Sequence, residues 1–144
     1  MRVHLQGIGK KFFQRWVIQN LSADFTSGVY AITGFNGSGK STLAKLISGY
    51  LAPTTGTIAY YISNQAIPID SLYRYIAYCA PYIDLPEELT LKECWNFHTH
   101  FRSLSNHHSF IEFLDKAKLI GHENKLVKYF SSGMKQRLKL GLTL

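Results

Sequence analysis

A glycine-rich segment that ends in one lysine and two hydroxyl residues has the spacing best suited to chemistry. It reads GFNGSGKST over residues 34–42 and satisfies the pattern G-x-x-x-x-G-K-[ST]. Glycines allow consecutive backbone N–H groups to turn inward around a polyphosphate, and a helix that follows presents its positive end to the same anion. The alternative is a glycine-rich loop with a chance lysine and serine. We call residues 34–42 the phosphate loop and predict that it binds the phosphates of a nucleotide.

The side chains of the phosphate loop suggest separate roles. The Lys40 ammonium is expected to reach the outer phosphates, the Ser41 hydroxyl to bind Mg²⁺, and Thr42 to contact an inner phosphate. Ser41 is the only metal ligand that we predict. The residues predicted to bind nucleotide through this loop are Asn36, Gly37, Ser38, Gly39, Lys40, Ser41 and Thr42.

A second group of small residues, Ser131, Ser132 and Gly133, lies where a helix is predicted to begin. Hydroxyl groups and free N–H groups at the positive end of a helix suit the binding of a phosphate group. The same geometry suits a plain helix N-cap at Ser131. Both roles stay open on the residues alone.

The phosphate loop needs a strand before it and a helix after it, and the sequence predicts both. Residues 29–33, VYAIT, form a short β-branched run that predicts a buried strand. Residues 43–51 place leucine and isoleucine at helical spacing until glycine and proline interrupt the pattern. Residues 2–5 and 21–25 are also typical of strands.

The rest of the chain changes from strand-like to helical periodicity. Residues 56–63 and 72–80 are rich in tyrosine and isoleucine and predict two strands joined by a turn. From Thr90 onward the spacing is helical, and residues 110–119 and 134–144 predict two further helices. The face of the helix that starts near Thr90 is marked by Leu91, Cys94, Trp95, His98 and Phe101. An α/β front half is thus joined to a helical back half.

Composition narrows the class of protein. The chain has 144 residues, of which 46% are hydrophobic, as in an ordered globular domain. Its formal net charge of +7 favours polyanionic partners, although dispersed basic residues also suit a solvated surface. No apolar run approaches the ~20 residues that cross a bilayer, and the N-terminus does not resemble a secretory signal. Cys79 and Cys94 match no zinc or redox spacing, which favours a reducing compartment, the cytoplasm.

Three segments resemble the nucleotide-binding domains of ATP-binding cassette (ABC) transporters. Residues 20–58 resemble the region around their phosphate loop, and residues 89–93, LTLKE, resemble the L-T-V-x-E that opens their helical subdomain. Residues 129–137, YFSSGMKQR, resemble the signature motif L-S-G-G-Q-x-Q-R, with Phe130, Ser132 and Met134 as departures. Motifs in register are more specific than one alone. The resemblance covers nearly the whole chain, from its N-terminal portion through the signature motif.

The resemblance implies an α/β fold. We expect a P-loop NTPase core with an N-terminal antiparallel β region and an inserted helical subdomain, truncated before the Walker B strand. Residues 1–80 would form the partial nucleotide-binding core. Residues 81–144 would form the joining loop, the helical subdomain and the signature helix.

The resemblance also implies an activity and partners. The expected protein is the ATP-binding subunit of an ABC transporter, which binds and hydrolyses MgATP to drive transport through a transmembrane permease. A second nucleotide-binding domain would complete a head-to-tail homo- or heterodimer at the cytoplasmic face of the membrane. The alternative is a non-transport ABC ATPase that acts on nucleic acid or ribosomes, although no basic block here is typical of nucleic-acid binding. A P-loop kinase or GTPase is disfavoured, because a signature helix has no role there.

Two further sets of contacts are implied by the resemblance. Ser131, Ser132 and Gly133 would contact ATP bound to the other subunit across the dimer. An aromatic residue upstream of the phosphate loop would stack on adenine, and Phe12 aligns with it. Phe13 and Trp16 are the alternatives.

The sequence departs from the family at its catalytic elements. Pro81 occupies the position of a glutamine, and proline has neither a side-chain amide nor an N–H donor. The contact would then be missing or supplied by Tyr82 or Asp84. The Walker B aspartate, the catalytic glutamate and a later histidine have no counterpart in residues 1–144. We therefore expect no catalytic residue in this chain and no ATP turnover by it alone, whether it is a fragment or a natural truncation.

The histidines invite a metal-binding interpretation, which we set aside. His98 and His100 are two residues apart on a predicted helix and so point to different faces. His107 and His108 are adjacent, and no carboxylate or cysteine completes a set of ligands.

Overall fold

The computed structural model describes residues 1–101 and 109–143. The chain divides into two compact units, Met1–Ile76 and Ala77–Leu144, which we call the sheet unit and the helical unit. The predicted boundary between residues 80 and 81 lies four residues further on and stays a prediction. Within the described residues, no helix is both long enough and apolar enough to span a membrane.

Four antiparallel strands form the sheet unit, in the spatial order β2-β1-β3-β4. Their bounds are Arg2–Phe12 (β1), Arg15–Phe25 (β2), Thr55–Ile62 (β3) and Gln65–Ile67 (β4). The pairs Val3 with Phe25 and Leu5 with Ile58 set the register of β1 against its two neighbours. The strands predicted over residues 2–5, 21–25 and 56–63 are therefore confirmed.

The β3–β4 hairpin turns tightly at Ser63 and Asn64. Their φ angles are +48° and +63°, the combination that a two-residue type I′ turn requires. The turn predicted between the strand-like runs, over residues 63–70, is confirmed only at its start, because residues 65–67 form the short strand β4.

One helix, α1 (Lys40–Ile47), packs on this sheet. Its Leu46 is fully buried, and the Tyr60 hydroxyl of β3 donates a hydrogen bond to the Leu46 carbonyl over 3.2 Å. Burial of apolar side chains between sheet and helix supplies the stability of this unit. Its buried core consists of Val3, Leu5, Ile8, Leu46, Tyr60 and Leu72.

The described residues of the helical unit form three α-helices: α2 (Leu91–Phe101), α3 (Phe110–Ala117) and α4 (Ser132–Gly141). A 3₁₀ helix, Val127–Tyr129, precedes α4. The rings of Trp95 and Phe113 pack with centroids 4.4 Å apart at the centre of the core. Burial there raises the pKa of the Cys94 thiol to about 11. The buried core consists of Leu91, Cys94, Trp95, Phe113, Leu114, Ala117, Leu119, Val127, Phe130 and Leu138.

Two predicted strands are wrong. Residues 29–33 are described and form no strand, and Val29 is fully exposed while Tyr30 and Ile32 are 52% and 39% exposed. Residues 72–80 instead continue from a 3₁₀ helix, Ile69–Arg74, into irregular chain. Among the described residues neither segment has a partner strand. A β-rich composition forms a strand only when a neighbour accepts its hydrogen bonds.

Candidate nucleotide-binding site

The phosphate loop closes on itself through the lysine at its end. The Lys40 ammonium donates hydrogen bonds to the carbonyl oxygens of Gly34 at 2.9 Å and Phe35 at 2.7 Å. The Ser38 N–H donates to the Phe35 carbonyl at 3.1 Å and forms a turn inside the loop. The Lys40 ammonium thus lies over the phosphate loop, as the sequence predicted.

Gly39 joins the phosphate loop to α1 in a conformation that favours glycine. Its φ is +93°, and a Cβ there would lie 2.9 Å from Cγ1 of Val17 on β2. As the N-cap of α1, Gly39 has no side chain with which to cap the helix. The N–H groups of the first turn therefore have no side-chain cap and are available to an anion.

The loop is accessible from solvent. Asn36, Gly37, Ser38 and Ser41 are exposed, whereas Gly39, Lys40 and Thr42 are half-buried. A polyphosphate can therefore approach the main chain without displacing core residues.

Charge in the sheet unit favours an anion. Residues 1–76, all of them described, contain seven lysines and arginines against two carboxylates, Asp24 and Asp70. Asp24 accepts hydrogen bonds from Arg2 at 2.9 Å and from His4 at 3.0 Å. These contacts hold the pKa of Asp24 below its ordinary value. The cations of the unit thus outnumber its carboxylates.

The three aromatic candidates for adenine stacking lie at the β1–β2 hairpin. Phe12 ends β1, is 43% exposed, and has the Lys10 ammonium 5.3 Å from its ring centroid. Phe13 is fully exposed in the turn, and Trp16 is 38% exposed. The structure does not distinguish between them, so the role of Phe12 stays a prediction.

The signature residues of the helical unit surround the N-terminus of α4. Ser131 is its N-cap, and its hydroxyl accepts a hydrogen bond from the Met134 N–H at 3.3 Å. Ser131, Ser132 and Gly133 are all exposed. The geometry satisfies the N-cap interpretation and leaves these side chains accessible.

Contacts that sequence analysis missed hold the segment before α2. The Lys139 ammonium of α4 donates to the Pro81 carbonyl at 3.0 Å. Lys135, one turn earlier, forms an ion pair with Glu87. No local pattern signals these contacts, because they join residues 58 and 48 positions apart. We call residues 81–88 the joining segment.

The described residues contain no cluster of three or more histidines, cysteines and carboxylates that could hold a metal ion. His98 and His100 lie on α2 within that part of the chain, whereas His107 and His108 lie outside it. The metal prediction for Ser41 is of a different kind, since one hydroxyl would act together with a nucleotide.

Comparison with solved structures defines the class of fold. An ATP-binding subunit of an ABC transporter superposes on 99% of this chain and 61% of its own, with a TM-score of 0.74 at 23% identity. A cassette determined as a dimer in a post-hydrolysis state with ADP and phosphate superposes on 99% of this chain and 68% of its own, with a TM-score of 0.78 at 24% identity. The fold is that of an ATP-binding cassette, and the predicted α/β P-loop fold is confirmed.

Sequence relatives define the family. Residues 18–144 match the family described as ABC transporter, and the chain belongs to it. YcbN, an ABC transporter ATP-binding protein of Bacillus subtilis, is 31% identical over 140 residues, which are 94% of this chain and 45% of YcbN. YybJ of the same organism is 30% identical over 96% of this chain and 63% of its own length. The chain thus spans about half the length of these curated relatives.

Proposed function

We propose that this chain is the ATP-binding part of an ABC transporter subunit and that it binds MgATP at the phosphate loop. The observation that carries the proposal is the position of Lys40, whose ammonium lies over an exposed loop beside an N-terminus without a side-chain cap. Loop N–H groups and helix N–H groups together favour a phosphate chain. Family membership makes ATP the expected nucleotide.

Lys40 is the residue that changes partners in this proposal. Two carbonyl oxygens hold its ammonium over the loop. A phosphate oxygen carries more negative charge than a carbonyl and forms a stronger hydrogen bond with an ammonium. The Lys40 ammonium would therefore exchange its hydrogen bonds to the Gly34 and Phe35 carbonyls for hydrogen bonds to the outer phosphates. It would neutralise part of their charge.

Ser41 fits the proposed Mg²⁺ site. Its hydroxyl is exposed in the first turn of α1, directly after the lysine that faces the phosphates. Mg²⁺ prefers oxygen ligands and often keeps several waters, so one protein hydroxyl beside phosphate oxygens is a fitting donor set. Bound Mg²⁺ would screen the phosphate charge.

The helical unit would contribute to a second nucleotide site. Exposed Ser131, Ser132 and Gly133 at the N-terminus of α4 are suited to a phosphate presented by another nucleotide-binding domain. A permease would be the other partner, with the subunit at the cytoplasmic face of the membrane. Co-purification of the complete protein with membranes that contain its permease tests this part of the proposal.

Hydrolysis is proposed for the complete protein and not for this chain alone. The sheet unit contains two carboxylates, and one of them, Asp24, is held by Arg2 and His4. Phosphoryl transfer to water depends on a positioned base and a well-held Mg²⁺. A phosphate-release assay on the 144-residue chain should therefore show no steady turnover. Turnover that disappears on Lys40→Ala would instead indicate a carboxylate such as Asp84 or Glu87 as the base.

Lys40→Ala tests the nucleotide site itself. Loss of the ammonium should weaken ATP binding at least about tenfold, or about 1.4 kcal/mol, because a charge-assisted contact to the outer phosphates is lost. The measurement is a titration with a fluorescent ATP analogue. Lys45→Ala is the matched control, since it removes the same charge from the last turn of α1. Equal affinity for the Lys40→Ala variant and the unmodified chain would show that the loop is not the nucleotide site.

A further inference from the structure

Two lysines on one face of α4 contact the joining segment. Lys135 and Lys139 are four residues apart, so their side chains lie one above the other on the helix. Lys135 forms an ion pair with the Glu87 carboxylate, and Lys139 donates to the Pro81 carbonyl at 3.0 Å. The lysines therefore hold the two ends of the joining segment.

The joining segment is only partly packed: Ile83 and Leu85 are half-buried, and the Tyr82 hydroxyl forms a hydrogen bond with the Tyr78 hydroxyl. Pro81, Tyr82 and Asp84 are exposed, and Leu85 is partly buried against the core of the helical unit. Its described backbone hydrogen bonds include a local turn from the Ile83 N–H to the Ala80 carbonyl at 3.1 Å. The Glu87 carbonyl also accepts from the Lys128 N–H at 3.1 Å, which supports one end of the segment.

A cavity beside the segment explains why polar contacts matter there. It has a volume of about 210 Å³ and a mostly apolar lining, to which Ile83 and Leu85 of the joining segment contribute. Phe97 of α2, Lys139 of α4 and Leu142 line it as well. Side chains that border this pocket have no protein atoms packed against them on that side. The position of the segment therefore depends in part on its contacts with Lys135 and Lys139.

We propose that Lys135 and Lys139 are positioning residues that hold the joining segment to the helix whose N-terminus carries Ser131. Segment and helix then move as one body. If α4 moves when Ser131 contacts a nucleotide, the joining segment moves with it; this consequence rests on the proposed function. The contact at residue 81 uses a main-chain carbonyl, which proline supplies as well as any other residue. Pro81 therefore keeps this contact although it has neither a side-chain amide nor an N–H donor.

Amide hydrogen exchange on the 144-residue chain without nucleotide tests the two contacts. Lys139→Met and Lys135→Met keep the aliphatic stem and remove only the ammonium. An exposed ion pair such as that of Lys135 contributes at most about 1 kcal/mol, and the hydrogen bond from Lys139 to a carbonyl is of similar size. Each variant should therefore speed exchange of protected amides in residues 81–88, such as that of Ile83, by about threefold to fivefold. Arg137→Met is the matched control, since Arg137 is an exposed cation on the same helix. It should leave the exchange of the segment unchanged.

Restoring the charge separates positioning from general loss of stability. Lys139→Arg should return exchange in the segment to that of the unmodified chain. Lys135→Glu combined with Glu87→Lys should do the same, whereas Lys135→Glu alone should be the fastest of the series. Failure of both restorations, or unchanged exchange in both methionine variants, overturns the proposal.

A nucleotide titration of the same variants keeps this inference separate from the proposed function. Affinity at the phosphate loop should be equal in the unmodified chain and in both methionine variants. If the unmodified chain binds no nucleotide, the proposed function is refuted. The hydrogen-exchange result still shows whether Lys135 and Lys139 position the joining segment. If one methionine variant fails to fold, the other lysine is tested independently.

Discussion

The two units each offer one helix N-terminus as a candidate phosphate contact, and the two ends are built differently. At α1 the cap is Gly39, with φ +93° and no side chain. At α4 the cap is Ser131, with φ −65° and a hydroxyl that accepts from the Met134 N–H. The first end leaves its N–H groups for a ligand, whereas the second satisfies one of them itself.

The capping residue therefore decides whether the positive end of a helix is available to bind an anion or is used to stabilise the helix itself. A glycine cap costs the chain conformational entropy on folding and gives it close access to an anion. A serine cap stabilises the helix before any ligand arrives. The α4 end is therefore stabilised by a residue of its own unit, whereas the α1 end depends on the conformation of Gly39.

The largest expected effect is a loss of stability, and it tests how the core of the helical unit supports α4. Phe113 is 4% exposed, packs on Trp95, and lies where a Cβ on Gly141 of α4 would be 2.7 Å from its ring. Phe113→Ala should lower the free energy of unfolding by about 3–5 kcal/mol, because it opens a cavity under the helix. Chemical denaturation measures this. The control is Ile111→Ala, which lies on α3 like Phe113 but is 73% exposed. It should change the free energy of unfolding by less than about 0.5 kcal/mol. Equal losses would contradict the packing described.

A smaller effect tests the glycine cap. Gly39→Ala should destabilise the loop by about 1–3 kcal/mol, because alanine is strained at φ +93° and its Cβ would meet Val17 at 2.9 Å. Nucleotide affinity should fall with it. Gly37→Ala is the control, since φ is +81° but no described atom lies within 4 Å of the added Cβ. The Gly37→Ala variant therefore has the backbone strain of a positive φ but no steric clash of the added Cβ. If both variants behave alike in thermal unfolding and titration, the close approach to Val17 has no role.

The smallest effect tests the serine cap. Ser131→Ala should lower the free energy of unfolding by about 1 kcal/mol, and Ser131→Gly by a few tenths of that. In the complete protein the same alanine variant should impair turnover and ATP-driven dimerisation more than ATP binding by the monomer. Monomer affinity is the control. Lower stability with intact turnover would show that Ser131 acts only as the N-cap.

Features with a local cause were predictable from the sequence. The glycine pattern with Lys40 predicted a loop before a helix, and α1 begins at that lysine. Small residues before residues 134–144 predicted the start of a helix, and Ser131 caps it. The apolar spacing from Leu91 predicted α2, whose Leu91, Cys94 and Trp95 are buried. In each case the hydrogen bonds concerned join residues within about four positions.

Features that depend on distant partners were not predictable. Residues 29–33 have the composition of a buried strand, yet they are exposed because no described segment pairs with them. Residues 72–80 failed for the same reason. The choice among Phe12, Phe13 and Trp16 stays open even in the folded hairpin, since all three reach its surface.

The sequence by itself determined the phosphate loop, the helix starts and the family. Only the tertiary structure decided which apolar runs are paired, which face of α4 holds the joining segment, and how Pro81 contributes through its carbonyl. The physical reason is the range of the interactions. Backbone sterics and capping act within one turn, whereas strand pairing and the contact between Lys139 and Pro81 require the chain to bring distant residues together.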